Sequence, residues 1–174
     1  MTDARKLIAL LPMLLIAFST GCARSPRMGQ YTYRVTLDES LRDSSTGVMP
    51  SIEIDFVGVN ESAQQIWERQ SIPAYFTPGN VLRTNATRHT LTFTNQRTEP
   101  QLLPADDMIW QRWMSSGARK MFIIASISMA GDPGAIDPRR LILPLDQARW
   151  NSKVIDIQIN PSGVHRMTPM RPVK

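Results

Sequence analysis

The sequence predicts a mainly β protein: an antiparallel β-sandwich with two short helices, preceded by a signal peptide. Apolar and polar residues alternate with a period of two in several short segments, as in half-buried strands. Turn-forming residues separate these segments, and long helices do not alternate with them, which argues against a parallel βαβ sheet. The length of 174 residues suits one domain.

The first half of the chain contains three clear strand patterns. Segment 31–37 predicts a strand whose core face carries Tyr31, Tyr33, Val35 and Leu37. Segment 51–58 predicts a strand with Ile52, Ile54 and Phe56 inside and with Glu53 and Asp55 in solvent. Segment 90–94 predicts a third, and a further strand is expected to begin at Val81 after a turn-rich loop over 71–80.

The second half predicts a central strand and several flanking ones. Segment 120–128 is the most apolar stretch after the N-terminal region, so it is expected to be buried on both faces. Segment 141–145 is expected at a sheet edge because Pro144 lacks an N–H donor. Segment 153–159 alternates again, and a turn leads to a last short strand over 164–167.

Two helices are predicted between the strands. The first covers 60–70, with Asn60 as N-cap and with Ile66 and Trp67 facing the core. The second covers 105–116 and ends at Gly117. Asp106 and Asp107 fall in the first turn of this second predicted helix, where carboxylates interact favourably with the positive end of the helix dipole.

The N-terminus has the three parts of an export signal. Arg5 and Lys6 precede twelve apolar residues over 7–18, a run shorter than the roughly 20 residues that cross a bilayer. Small residues then lead to Gly21 and Cys22. This pattern resembles the bacterial lipoprotein signal, although Ser19 stands where that signal most often has leucine. The alternatives are an ordinary secretory signal and an uncleaved anchor.

The resemblance to that signal implies cleavage after Gly21 and a covalent lipid on Cys22. The residue that follows is Ala23 and not an aspartate, which implies the outer membrane as the destination. The expected organisation is a signal peptide over 1–21, a lipidated tether over 22–30, a β-sandwich over 31–168 and a frayed tail over 169–174. Several acyl chains would make the membrane anchor stable.

Composition and motifs argue against most other functions. A single cysteine excludes an internal disulfide, and with two histidines it disfavours a zinc site. The net charge of +5 includes no run of five basic residues, so nucleic acid is not an expected partner. Nucleophile-elbow and phosphate-loop motifs are absent from the sequence, and His89 and His165 read as surface residues. The expected protein is therefore not an enzyme and has no cofactor apart from the lipid.

Two features remain as candidate binding surfaces. The four tryptophans either pack in the core, which their spacing favours, or form a platform for carbohydrate or peptide. The loop from Met129 to Pro138 is expected to be exposed between two core strands. Its turn forms the candidate partner-contact site, with residues Gly131, Asp132, Pro133 and Gly134. A passive connection is the alternative for this loop.

The order of elements over 50–160 resembles the lipoprotein family of type VI secretion systems. The resemblance lies in the strand 50–59, the aromatic helical piece containing Trp67 and Tyr75, the apolar strand 121–126 and Trp150 ahead of strand 155–159. The chain departs from the family at 38–42, where the family has an Asn-Pro pair. The resemblance implies a transthyretin-like sandwich facing the periplasm. It also implies that loops at one end bind the periplasmic domain of a large inner-membrane secretion protein.

Overall fold

The computed structural model describes residues 27–129 and 136–172, which form two four-stranded sheets. The first sheet contains β1 (Thr32–Leu37), β4 (Gln101–Leu103), β7 (Val154–Asn160) and β8 (Gly163–Arg166), in the order β4–β1–β7–β8. The second contains β2 (Ile52–Val59), β3 (Arg88–Phe93), β5 (Lys120–Ala125) and β6 (Arg140–Pro144), in the order β3–β2–β5–β6. The predicted mainly β sandwich is confirmed, and β6 lies at an edge as Pro144 indicated.

The first sheet is mixed and not purely antiparallel. Strands β1 and β7 run parallel, from Thr32 opposite Val154 to Leu37 opposite Ile159, while the other described strand pairs are antiparallel. Alternation along one strand reports which face is buried and carries no information about the direction of its neighbour. The sequence pattern therefore could not predict that β1 and β7 run parallel.

Three helices connect β2 to β3: α1 (Glu61–Arg69), α2 (Ile72–Phe76) and α3 (Val81–Asn85). Asn60 caps α1 as predicted, since its side chain accepts the N–H of Ala63 at 3.0 Å. The expected strand at Val81 is wrong, because the side chain of Asn80 accepts the N–H of Arg83 at 2.9 Å and begins α3 there. Ile66 was expected in the core but is exposed, whereas Trp67 is buried.

The main core lies between the two sheets. Tyr33 of β1 and Phe56 of β2 meet there, with ring centroids 5.5 Å apart. A second apolar cluster lies on the outer face of the second sheet, where α1 and α2 cover it. Its buried members are Val57, Val59, Trp67, Ile72, Tyr75, Phe122 and Ile124. The strand β5 is therefore buried on both faces, as predicted.

All four tryptophans are buried. Trp110 and Trp113 lie on α4 (Ile109–Ser115), where their ring centroids are 5.1 Å apart in an edge-to-face arrangement. The Nε1 atoms of Trp110, Trp113 and Trp150 donate to the backbone carbonyls of Pro104, Thr87 and Pro144. The tryptophans are thus core residues, and the indole N–H groups of these three are hydrogen-bonded. They form no exposed platform for a sugar or a peptide.

Within the described ranges, the helices are too short or too polar to cross a membrane.

Candidate partner-binding end of the sandwich

The sandwich has two chemically different ends. At the loop end lie the connections 38–51, 94–100 and 161–162 and the described residues 126–129 and 136–139, since β1, β3, β5 and β7 all finish there. At the basal end lie the first described residues and the β6–β7 connection, 145–153. The N–H of Gly29 donates to Leu145 O at 2.8 Å, and that of Gln147 donates to Arg27 O at 2.8 Å. The chain therefore enters the sandwich at the basal end.

Most of the predicted site residues lie outside the described residues. These are Gly21, Cys22, Gly131, Asp132, Pro133 and Gly134. The last four fall between β5 and β6 in the sequence, and the end of β5 and the start of β6 both lie at the loop end. On its described flanks, Met129 is partly buried and Ile136 is exposed.

A groove of about 560 Å³ opens at the loop end. The β1–β2 connection forms one wall, which includes Leu41 and Val48, and residues 126–128 and Pro161 form the other. Val48 is 46% exposed, and Ile127 is buried at the base. This groove was not predicted from the sequence, because no helix or strand was expected in the connection between the first two predicted strands. The apolar pair Val48–Met49 in that connection was the available signal.

Hydrogen bonds hold the β1–β2 connection in one conformation. The Oδ1 atom of Asp43 accepts from the backbone N–H groups of Ser45 and Thr46 at 3.0 and 2.8 Å. Their hydroxyls also donate to Asp43, and together these bonds lower the pKa of its carboxyl group to about 2. Asn95 links this connection to the next one, because its Oδ1 accepts the N–H of Met49 at 3.0 Å.

The other wall is held by the base of the 126–139 loop. Arg139 donates from Nε and Nη2 to the two carboxylate oxygens of Asp137, at 2.9 and 2.7 Å, and this ion pair is largely buried. The N–H of Val164 donates to Pro138 O at 2.8 Å, which joins the loop to the β7–β8 turn. Gly163 has φ +137°, and a Cβ there would lie 2.4 Å from Pro138 O. The loop end is therefore a preorganised surface.

Replacing Gly163 with alanine is expected to lower the free energy of unfolding by about 1–3 kcal/mol, from backbone strain together with the clash at Pro138. Urea denaturation monitored by tryptophan fluorescence measures the change. Gly47→Ala is the matched control, because Gly47 also has positive φ, +68°, but has open space around it. Equal losses in the two variants would mean that the Pro138 contact contributes nothing.

The two ends differ in charge. The described loop-end connections contain five acidic and three basic residues: Asp38, Glu39, Asp43, Glu99 and Asp137 against Arg42, Arg97 and Arg139. The basal segments 27–31, 145–153 and 167–172 contain four basic residues and one acidic residue: Arg27, Arg149, Lys153 and Arg171 against Asp146. The loop-end connections thus carry net negative charge, and the three basal segments around the N-terminal entry carry net positive charge.

Asp107 and the two histidines form local polar contacts. Asp107 Oδ1 accepts the N–H of Ile109 at 2.8 Å at the start of α4, as predicted for the helix dipole. Its Oδ2 lies 3.3 Å from Nδ1 of His89. His165 Nε2 lies 2.9 Å from Ser162 Oγ and 3.1 Å from Asn160 Oδ1, all within the β7–β8 turn. In the described part of the chain, His, Cys, Asp and Glu side chains form no cluster that could hold a metal.

Comparison with known proteins supports the fold. No protein-family model matches the sequence, and no curated protein sequence matches it. Among solved structures, the chain is similar to the type VI secretion lipoprotein TssJ1 from Pseudomonas aeruginosa, with a TM-score of 0.51, 10% identity and coverage of 85% of this chain and 100% of that one. It is also similar to Serratia marcescens Lip, a membrane-bound component of the type VI secretion system (TM-score 0.50, 14% identity, coverage 79% and 96%).

A third similar chain comes from a structure described as the C-terminal domain, residues 869–1107, of the type VI secretion protein TssM from EAEC. The TM-score is 0.54, the identity is 11%, and the match covers 79% of this chain and 99% of that one. The resemblance inferred from the order of elements is thus confirmed at the level of the fold: the chain has a TssJ-like β-sandwich.

Proposed function

We propose that this protein is a non-enzymatic outer-membrane lipoprotein that anchors or scaffolds an envelope-spanning secretion complex of the type VI kind. Cleavage after Gly21 leaves Cys22 as the lipidated N-terminus, and residues 23–30 join the lipid to the sandwich. The loop end faces the periplasm and binds the periplasmic domain of a large inner-membrane protein.

The observation that carries this proposal is the TssJ-like fold combined with the separation of the two ends. The chain enters at the basal end, so a lipid on Cys22 leaves the loop end directed away from the membrane. The loop end offers a groove of about 560 Å³ with an exposed Val48, held rigid by the bonds of Asp43, Asn95 and Arg139. A rigid framework that presents several loops on one side is typical of a protein-binding surface.

The lipid anchor is tested by labelling cells with a fatty-acid analogue. We expect label on the wild-type protein and a complete loss of label for Cys22→Ser, since the thiol is the proposed acceptor. Membrane fractionation should show the same variant leaving the outer-membrane fraction. Label retained by Cys22→Ser would contradict the proposed anchor.

The partner is tested by crosslinking the acylated protein in intact cells and identifying what co-purifies with it. We expect a large inner-membrane protein, and we expect Val48→Asp to reduce its recovery about tenfold or more by placing a charge in the apolar groove. Met114→Asp is the matched control, because Met114 is similarly exposed but lies on α4 at the basal end. Equal recovery with both variants would contradict a contact at the loop end.

A further inference from the structure

A second cavity, of about 670 Å³, lies at the basal end; we name it the basal pocket. Its walls come from the chain entry, the β6–β7 connection and the C-terminal segment. Two hydrogen bonds join these segments: the N–H of Gln147 donates to Arg27 O, and that of Arg171 donates to Arg149 O at 2.9 Å. The volume lies within the range of about 300–1,000 Å³ that is usual for small-ligand sites.

Among the described residues, the lining of the basal pocket carries more positive than negative charge. Arg27, Lys153 and Arg171 line it together with one acidic residue, Asp146. None of these three cations forms an ion pair with another residue of the described ranges. The Oδ1 atom of Asp146 accepts the N–H of Ala148 at 3.0 Å, so this carboxylate already serves the local turn. Arg171 donates through Nε to Oδ1 of Asn151, but that amide is uncharged, so the positive charge of Arg171 remains available to an anion from outside, as do those of Arg27 and Lys153.

Tyr31 forms part of the wall of the basal pocket and holds an unused hydrogen-bond donor. Its side chain is 2% exposed, and its hydroxyl has no hydrogen-bond partner among the described residues. Burial and the negative charge of Asp146 raise the pKa of Tyr31 to about 12, against the opposing effect of Arg171, so the hydroxyl stays protonated. Gly29 leaves room for this hydroxyl, since a Cβ there would lie 2.2 Å from it. An unpaired buried hydroxyl is unfavourable until an acceptor reaches it.

The basal pocket lies close in sequence to the proposed lipid attachment site at Cys22. Arg27 lines the pocket and follows Cys22 by five residues, a stretch that spans at most about 18 Å when fully extended. A lipid attached at Cys22 would therefore hold the basal pocket beside the headgroups of its own leaflet.

We propose that the basal pocket binds the phosphate group of an anionic phospholipid headgroup and thereby fixes the orientation of the sandwich on the membrane. The guanidinium groups of Arg27 and Arg171 can each donate two parallel hydrogen bonds to phosphate oxygens, and the ammonium of Lys153 adds a positive charge. The hydroxyl of Tyr31 supplies a further donor for the same oxygens. This inference rests on the proposed anchor at Cys22 for its source of lipid. Binding would hold the loop end pointing away from the membrane towards its partner.

The test is lysine footprinting of the acylated protein in nanodiscs. Lys153 lines the basal pocket, whereas Lys120, at the start of β5, lies at the same end of the sandwich but outside the pocket, so it serves as an internal control for general adsorption of this end. Replacing part of the phosphatidylcholine with phosphatidylglycerol should slow the acetylation of Lys153 about fivefold relative to Lys120, as expected for a largely occupied site. Equal slowing of both lysines would indicate general adsorption and overturn the proposal, as would no slowing of Lys153.

Matched variants identify the residues responsible. Arg27→Gln with Arg171→Gln should abolish the protection of Lys153, whereas Arg69→Gln with Arg97→Gln removes the same charge from exposed positions outside the pocket and should preserve it. Loss of protection in both double variants would contradict a specific site.

Two further readouts separate the sources of failure. Soluble glycerol 3-phosphate, added to phosphatidylcholine nanodiscs, should protect Lys153 much less than phosphatidylglycerol does; equal protection would overturn the lipid as the source of the phosphate. The intact mass of the same sample reports acylation. An unmodified Cys22 would therefore count against the anchor, and an acylated protein without protection would count against the basal pocket alone.

Discussion

Replacing Arg83 with methionine is expected to lower the free energy of unfolding by about 3–5 kcal/mol, because it leaves a buried carboxylate without its main partner. Asp55 is completely buried. Its Oδ2 accepts from Arg83 Nε at 2.8 Å and from the Tyr75 hydroxyl at 3.0 Å, and its Oδ1 accepts from Thr90. Arg83 also reaches Glu53 at 2.7 Å. It therefore ties α3 to two positions of β2.

Arg88 is a more distant cation in this network and does not hydrogen-bond to Asp55. Its Nε lies 3.5 Å from Asp55 Oδ2 and forms no hydrogen bond in the described structure. Urea denaturation measures the loss, and hydrogen exchange should show faster opening of α2 and α3 than of β2. Arg69→Met on the exposed face of α1 is the control and should change stability by less than about 0.5 kcal/mol. A comparably small effect for Arg83→Met would show that solvent reaches Asp55 after a local rearrangement.

Asp55 is also the residue at which the sequence prediction of the second sheet fails. The alternation over 51–58 correctly placed Ile52, Ile54 and Phe56 in the core but assigned Asp55 to solvent. The pattern identifies two faces of a strand, and it does not say whether the polar face is covered by another layer. Here that face lies under the helices between β2 and β3, and the network of Arg83 makes a buried aspartate tolerable.

The sequence of β5 indicated that another layer, formed here by helices, covers the outer face of the second sheet. Segment 120–128 was predicted to be buried on both faces, which is true of β5. A strand buried on both faces requires a covering layer outside its sheet, and the neighbouring β2 lies under the same layer. The helices α2 and α3 are only five residues long each, and they depend on caps and tertiary contacts more than on periodicity, so their type was hard to predict.

The candidate binding end was predictable only in part. The sequence predicted an exposed loop between two core strands, and the described residues on either side of it lie at the loop end. The groove beside it was not predictable, because its walls come from residues near 41–52, 126–128 and 161, which meet only through the fold. The basal pocket was not predictable for the same reason. Arg27 and Arg171 are far apart in the sequence, and both line the pocket because backbone hydrogen bonds join their segments to residues 145–153. Spacing in a single sequence does not encode such contacts.

Replacing Trp113 with alanine is expected to lower the free energy of unfolding by about 3–5 kcal/mol, through the loss of a fully buried ring and the cavity left behind. The ring packs edge-to-face with Trp110, and its Nε1 donates to Thr87 O at 2.8 Å. The ring packs against the backbone of β2 at Gly58 and fills the basal end of the core. Circular dichroism during urea denaturation measures the change. Met114→Ala, a neighbouring exposed position, is the control and should have little effect.

The packing of Trp113 also explains the glycine next to the last residue of β2. A Cβ at Gly58 would lie 2.4 Å from Cγ of Trp113, so Gly58→Ala should cost about 1–3 kcal/mol in the wild-type background. In the Trp113→Ala background the ring is absent, and the same change should be close to neutral. A double-mutant cycle measures this coupling. Equal costs of Gly58→Ala in both backgrounds would mean that the strand backbone, and not the indole ring, requires glycine at this position.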